Sequence, residues 1–299
     1  MQPSPAQQRN AKLQLICSML IFGTIGVFRN HIALPSGMIA CVRGICGALF
    51  LVLLVRLRGM RFSGEAIRRN IGLLVFSGVL IGFNWILLFE AYRYTSLAVA
   101  TFAYYMAPVF VIVISALLFR QGFSLGRALC VLLAMLGMVF VSGVLETGLP
   151  TVHELRGIGF GLAAALLYAV IVLLNSKLTQ IGPYDRTVVQ LAAAGLALVP
   201  YVLLAEDWSA VHPDILSILL LIVVALFHTG FAYAMYFGSM AFLPVQTVAL
   251  FSYIDPMTAI LLAAILPEES FTLFGAIGAA LILGSTLLNE FLEKRQRIN

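Results

Sequence analysis

Within the apolar runs of this 299-residue chain, few side chains can exchange a proton, hydrogen-bond a ligand or stack on one: Asn84, Trp85, Tyr104, Tyr105, Tyr168, Gln190, His228, Tyr233, Gln246, Ser252, Tyr253 and Asp255. A polar group in hydrocarbon costs free energy unless it pairs or faces water, so these positions are the first candidates for a binding cavity. Asp255 is the sole carboxylate at midspan; it can relay a proton, accept from an amino group, or cap the kink at the adjacent Pro256. His228 is the second candidate for proton-linked chemistry, since imidazole changes charge near neutral pH. Asn84 and His228 read either as cavity-lining groups or as hydrogen-bonding pairs in a dry helix interface. Pro108 and Pro256 each remove a backbone hydrogen bond near the middle of a span. They read as hinges or as static kinks, with Tyr105 and Tyr253 one turn earlier as gate or stacking surface. Arg43 lies about 10 Å below the nearer surface at about 1.5 Å per residue and reads first as structural, second as a partner for a carboxylate. Glu90 and Arg93 are i,i+3 neighbours and read as a local ion pair.

The elements that must position these groups follow from composition. The chain is 62% hydrophobic and only 10% charged, with a mean hydropathy of +1.03. A bilayer-spanning helix uses about 20 apolar residues, so the apolar content fills nine or ten spans and leaves no appended soluble domain. The runs predict an all-α membrane protein of ten transmembrane helices, near 13–28, 36–55, 71–89, 96–119, 128–145, 157–174, 187–204, 215–237, 243–266 and 273–289. Arg29, Arg93 and Arg156 fall on one side and Arg43 inside a span, which leaves the other 14 of the 18 basic residues on the side of the termini. The positive-inside rule then predicts both termini in the cytoplasm. The net charge of +5 is thereby accounted for by topology, and no nucleic-acid partner is expected. Cys17, Cys41, Cys46 and Cys130 lie within spans in no metal-ligand spacing, and neither HExxH, GxSxG nor a Gly-rich phosphate loop occurs. A catalytic residue, a metal site and a cofactor are therefore not expected.

Set against itself at an offset of 148 residues, the chain places Gly82 and Phe83 over Gly230 and Phe231, Tyr105 over Tyr253, Pro108 over Pro256 and Phe123 over Phe271. Five helices per half make the second half enter the membrane from the opposite face. Such inverted repeats are characteristic of carriers that alternate access about a midplane site. The expected organisation is a cytoplasmic tail over 1–12, a first repeat over 13–146, a second over 157–289 and a second tail over 290–299. The segment AYRYTSLAVATFAYYMAPVFVIVISALLFRQGFSLGRALCVLLAMLGMVFV (91–141), with its counterpart ending SYIDPMTAILLAAILPEESFTLFGAIGAALILGSTLL, resembles the drug/metabolite transporter superfamily. Within it the chain is similar to the ten-helix group built from two EamA domains, and most like the YddG-type exporters of amino acids.

That resemblance implies an inner-membrane exporter of amino acids, aromatic or other neutral, and related metabolites, working as a monomer in the bilayer with protons as candidate coupling ions. A zwitterion needs an acceptor for its ammonium group and donors for its carboxylate. Asn84, His228 and tyrosines supply polar groups, and Trp85, Tyr105, Phe231, Tyr233 and Tyr253 supply aromatic walls of a cavity expected among spans 3, 4, 8 and 9. Export of other metabolites or drugs by proton antiport is the alternative; the carboxylate that small multidrug antiporters carry in the first helix is missing between Leu13 and Phe28. A sugar-phosphate exchanger would need several intramembrane cations, and Arg43 stands alone. An intramembrane enzyme is disfavoured by the lack of a catalytic cluster.

Overall fold

In hydrocarbon every backbone polar group must find its partner within the segment, which leaves helix as the answer for runs this apolar. The computed structural model describes residues 4–118, 125–141, 145, 149–175, 177–206, 211, 213–240, 242–243, 251, 254–265 and 272–298. Their elements are α1 (Pro5–Gly23), α2 (Ile25–Asn30), α3 (Ser36–Leu57), α4 (Gly64–Tyr94), α5 (Leu97–Tyr104), α6 (Ala107–Leu118), α7 (Leu125–Val141), α8 (Val152–Asn175), α9 (Pro183–Ala205), α10 (Ile215–Val223), a π-helical segment (Val224–Phe231), α11 (Ala232–Met240), α12 (Ile254–Ile265) and α13 (Leu273–Ile298). Among the described residues, six stretches are long and apolar enough to cross a membrane: Pro5–Asn30, Ser36–Leu57, Gly64–Tyr94, Val152–Asn175, Pro183–Ala205 and Ile215–Ser239. Shorter apolar helices occupy Leu97–Val111, Ala128–Val141 and Leu273–Ser285. The protein is thus an all-helical, multi-pass membrane protein.

Its burial pattern reverses that of a soluble protein. Small residues fill the interior, among them Ala40, Ala100, Ala103, Ala164, Ala169 and Ala194, while Leu57 is 77% and Leu204 86% exposed. Lipid is as apolar as leucine, so helices gain by close van der Waals approach at small residues rather than by hiding large ones.

The chain folds as two compact units, each drawing on both halves of the sequence: Met1–Ile86 with Leu174–Ala259, and Leu87–Leu173 with Ile260–Asn299. In the first, α3 crosses α9 at Gly44 and Gly195, where a Cβ on Gly44 would stand 2.5 Å from the Gly195 amide nitrogen. Nearby, Gly230 lies against the Phe50 ring and Gly82 against Leu198. In α1, Phe22 packs edge-on against Tyr233 of α11, centroids 5.2 Å apart. In the second unit α7 crosses α13 at Gly137 and Gly278. Phe102, Val141, Ala279 and Ile282 form a core beside that crossing. The Glu90–Arg93 ion pair expected from spacing is present at 3.1 Å.

Among the described residues, three of the apolar runs depart from continuous α-helix. The first breaks at Thr24, whose N–H and hydroxyl both donate to the Ile21 carbonyl, at 3.1 and 2.8 Å. The fourth breaks at Tyr105 and Met106, where the Met106 N–H reaches back only to Ala103. Pro108 then falls in the first turn of α6, a position that tolerates its missing N–H. The eighth relaxes into the π-helical segment. Pro256 likewise falls in the first turn of α12.

A buried polar network ties α4, α8 and α9 in the first unit. The Gln190 side-chain amide donates to Ser77 Oγ and to Asn175 Oδ1, both at 2.7 Å. Replacing Gln190 by leucine is expected to lower stability by about 0.5–1.5 kcal/mol, the range of intramembrane side-chain hydrogen bonds. A thermal melt in detergent would register it, and an unchanged midpoint would show the network to be energetically idle.

Candidate functional site

The break at Thr24, the π-helical segment and the deep end of α3 meet in the first unit. His228, in the π segment, is 1% exposed. Its Nε2 stands 2.8 Å from Thr24 Oγ1. Because the Thr24 hydroxyl commits its single proton to Ile21, its oxygen is left to accept, which assigns a proton to Nε2. The opposite ring nitrogen, Nδ1, is buried without a hydrogen bond. Phe28 meets the imidazole edge-on, centroids 4.7 Å apart.

The next residue, Thr229, donates its hydroxyl proton to the Val224 carbonyl at 3.1 Å, five residues back, which is the spacing of a π-turn. Its oxygen accepts from Arg43 Nε at 3.0 Å. The Arg43 guanidinium carbon lies 4.3 Å from the centroid of Trp85, a cation–π stack. Arg43 is 4% exposed, and Asn84 beside Trp85 is buried too. Half-buried Tyr233 lies within electrostatic range of both Arg43 and Asp255. The first turn of α12 is brought to α1 by Gly23, where an added Cβ would stand 2.7 Å from the Asp255 carbonyl oxygen.

Of the expected cavity residues, Trp85 stacks on Arg43, His228 and Tyr233 lie in the electrostatic range of Arg43, Asp255 lies in that of Tyr233, and Asn84 shares the helix of Trp85. Phe231 is not part of this group: it is 41% exposed and stacked on Phe227 at 5.4 Å. Tyr105 belongs to the second unit, where it packs against the core around Phe102 and beside Tyr104. Tyr253 lies outside the described residues, as do Gln246 and Ser252; for Pro108 and Pro256 only the backbone is described.

Sequence reasoning missed Thr24 and Thr229. A threonine in an apolar run satisfies its hydroxyl on its own helix and so costs little. The one available signal was Gly23-Thr24 interrupting the first run without a proline.

A model of the family described as EamA-like transporters matches this chain twice, over residues 10–143 and 155–291. An uncharacterized transporter of Bacillus subtilis (strain 168), YxxF, is 27% identical over 302 residues, covering 98% of this chain and 93% of the relative. An uncharacterized transporter of Archaeoglobus fulgidus is 26% identical over 281 residues, covering 94% and 96%. A protein of known crystal structure shares the fold, with a TM-score of 0.67 at 19% identity over 96% of this chain and 98% of that one. Matched twice along nearly its whole length and akin to proteins named as transporters, the chain is a membrane transporter of small molecules and not an enzyme, and it belongs to the EamA-like transporter family.

Proposed function

We propose that this chain is a secondary carrier of the inner membrane that exports amino acids, aromatic or other neutral, and related metabolites by alternating access. The observation that carries this reading is the buried, donor-rich cluster of Thr24, His228, Thr229, Arg43 and Trp85, assembled where the first and eighth runs depart from regular helix. Departures of this kind are tolerated at membrane depth where they line a site, and they are typical of carriers.

The ten spans form two inverted five-helix repeats, 13–146 and 157–289, with both termini cytoplasmic. The packing of the first unit supports the repeat. Gly82 and Gly230 are 148 residues apart in the sequence, and so are their contacts Leu198 and Phe50. The same pairwise contact is thus made once from each half, as a two-fold relation requires. His228 and Asp255 are the candidate proton-linked groups, Pro108 and Pro256 the candidate hinges, and the monomer is the working unit.

Uptake of labelled phenylalanine, leucine and alanine into proteoliposomes, with and without an imposed pH gradient, tests the reading. Saturable flux of at least one amino acid is expected. Flux of an unrelated cation or sugar beside none of any amino acid would overturn the substrate assignment.

A further inference from the structure

We infer that the end of the first unit carrying Arg56, Arg58, Arg61, Arg68, Arg69 and Lys177 is a binding surface for the headgroup of an anionic phospholipid. All six residues are exposed, and among the described residues none of them is in an ion pair. Over 56–70 and 177–182 the one carboxylate is Glu65. Asp185, at the start of α9, accepts from the Ser63 amide at 3.4 Å and is followed directly by Arg186. The surface is therefore strongly basic.

Sidedness in the membrane asks only that basic residues lie beyond one end of the spans; it does not ask that they be held in a fixed frame. Here they are. The two loops come from different halves of the sequence and are joined reciprocally: Asn70 Nδ2 donates to the Thr179 carbonyl at 2.9 Å, and the Thr179 N–H to Asn70 Oδ1 at 3.2 Å. Arg69 Nη1 donates to Gln180 Oε1 at 3.0 Å. Both positive-φ residues among those described, Gly59 at 67° and Gln180 at 52°, fall in these loops. Left-handed backbone is unfavourable for a glutamine, and the bonds at Thr179 and at its own side chain hold it there.

Position selects a lipid over a soluble anion. Arg56 ends a stripe of exposed leucines on α3, Leu49 and Leu53, and Arg68 begins one on α4 with exposed Ile71 and Val75. Residues three, four and seven apart share one helix face. Each cation thus stands at the head of an apolar surface that lies in the bilayer. That arrangement meets a phosphate and its acyl chains together, whereas a free phosphate would use the cations alone. Clusters of Lys and Arg at the membrane surface gain from anionic headgroups in this way.

The test titrates detergent-purified full-length protein with phosphatidylglycerol, with phosphatidylcholine of the same acyl chains, and with glycerol phosphate. Melting midpoint and binding of a fluorescent phosphatidylglycerol are the readouts. Wild type is expected to prefer phosphatidylglycerol, less so as salt is raised. Replacing Arg61, Arg68 and Lys177 together by glutamine should weaken that binding at least about tenfold. Replacing Lys294, Arg295 and Arg297 by glutamine removes the same charge from the end of α13 and should leave it unchanged, as should Arg61→Lys with Arg68→Lys. Lipid-free melts report folding. Where the triple variant does not accumulate, Arg61→Gln and Lys177→Gln, both in the loops, are each expected to weaken binding roughly two- to fivefold. Equal response to the two lipids, or equal loss in the two triple variants, would overturn the inference. Glycerol phosphate matching phosphatidylglycerol would overturn the lipid as occupant.

Discussion

Gly44→Leu is expected to prevent accumulation of folded protein, or to lower its melting midpoint in detergent by roughly 5–10 °C. The reason is which atoms stand opposite. A Cβ on Gly44 meets the Gly195 amide nitrogen at 2.5 Å, its Cα at 2.7 Å and the Leu191 carbonyl oxygen at 2.9 Å. All are backbone, so no rotamer change relieves the clash; α3 and α9 must part. Parting them also separates Gly195 from Ile45, which it approaches from the other side. In lipid there is no hydrophobic gain to offset lost contact, since the separated surfaces become lipid-exposed rather than water-exposed. Overpacking commonly costs about 1–3 kcal/mol when side chains can adjust, and a contact made of backbone sits at or above the upper end. Gly159→Ala is the control, because nothing lies within 4 Å of a Cβ there; it is expected to be neutral or slightly stabilising. Size-exclusion profiles and melts of the two variants give the comparison. A Gly44→Leu protein that melts with the wild type would show that the crossing is looser than described.

What the sequence revealed and what it hid divide along physical lines. Asn84, Gln190 and His228 stood out because polar groups are rare in runs this apolar. The Glu90–Arg93 pair was legible because helical spacing alone brings it together. Gly82 and Gly230 stood out because the same residue recurs at one offset of 148, the match from which the repeat is proposed. Phe231, expected to line a cavity with Trp85, is exposed and stacked on Phe227, and its run did not foretell that difference from Trp85. In a soluble helix the apolar face points inward, but here both faces are apolar and pattern cannot tell core from lipid. Trp85 lies under Arg43, whereas Phe231 is exposed and stacked on Phe227. The π-helical segment was invisible as well. Its single extra residue shifts the phase of everything after it, and a local deformation of that size leaves no periodic trace in a run of leucine, valine and phenylalanine. Thr229 and Arg43, far apart in sequence, could be joined only by knowing that phase.

The phase shift matters most at His228, and His228→Ala is expected to cut amino-acid flux at least about tenfold, the scale of losing a buried hydrogen bond together with the packing of its ring. Thr24 retains its bond to Ile21 when the imidazole is removed, so the break in the first run survives, but its link to the π segment does not. His228→Gln separates two explanations. An amide can replace one donor to Thr24, and if that bond is all the imidazole provides, flux recovers. The ring offers more: protonated, it carries a second donor at Nδ1 beside the one it gives Thr24 from Nε2, whereas neutral it carries only one. Arg43 lies within electrostatic range of His228, and Tyr233 within that of Arg43 and Asp255. Arginine stays charged at all accessible pH, and Asp255→Asn removes that carboxylate as a competing source. Initial rates from pH 4 to pH 8 are then expected to change in wild type and in Asp255→Asn, and to be low and flat in His228→Gln. A wild-type pH profile retained in His228→Gln would show that any proton enters elsewhere. Rates restored with the profile flattened would make His228 the proton-linked group and nothing else, since the connection to Thr24 would by then have been rebuilt by the amide.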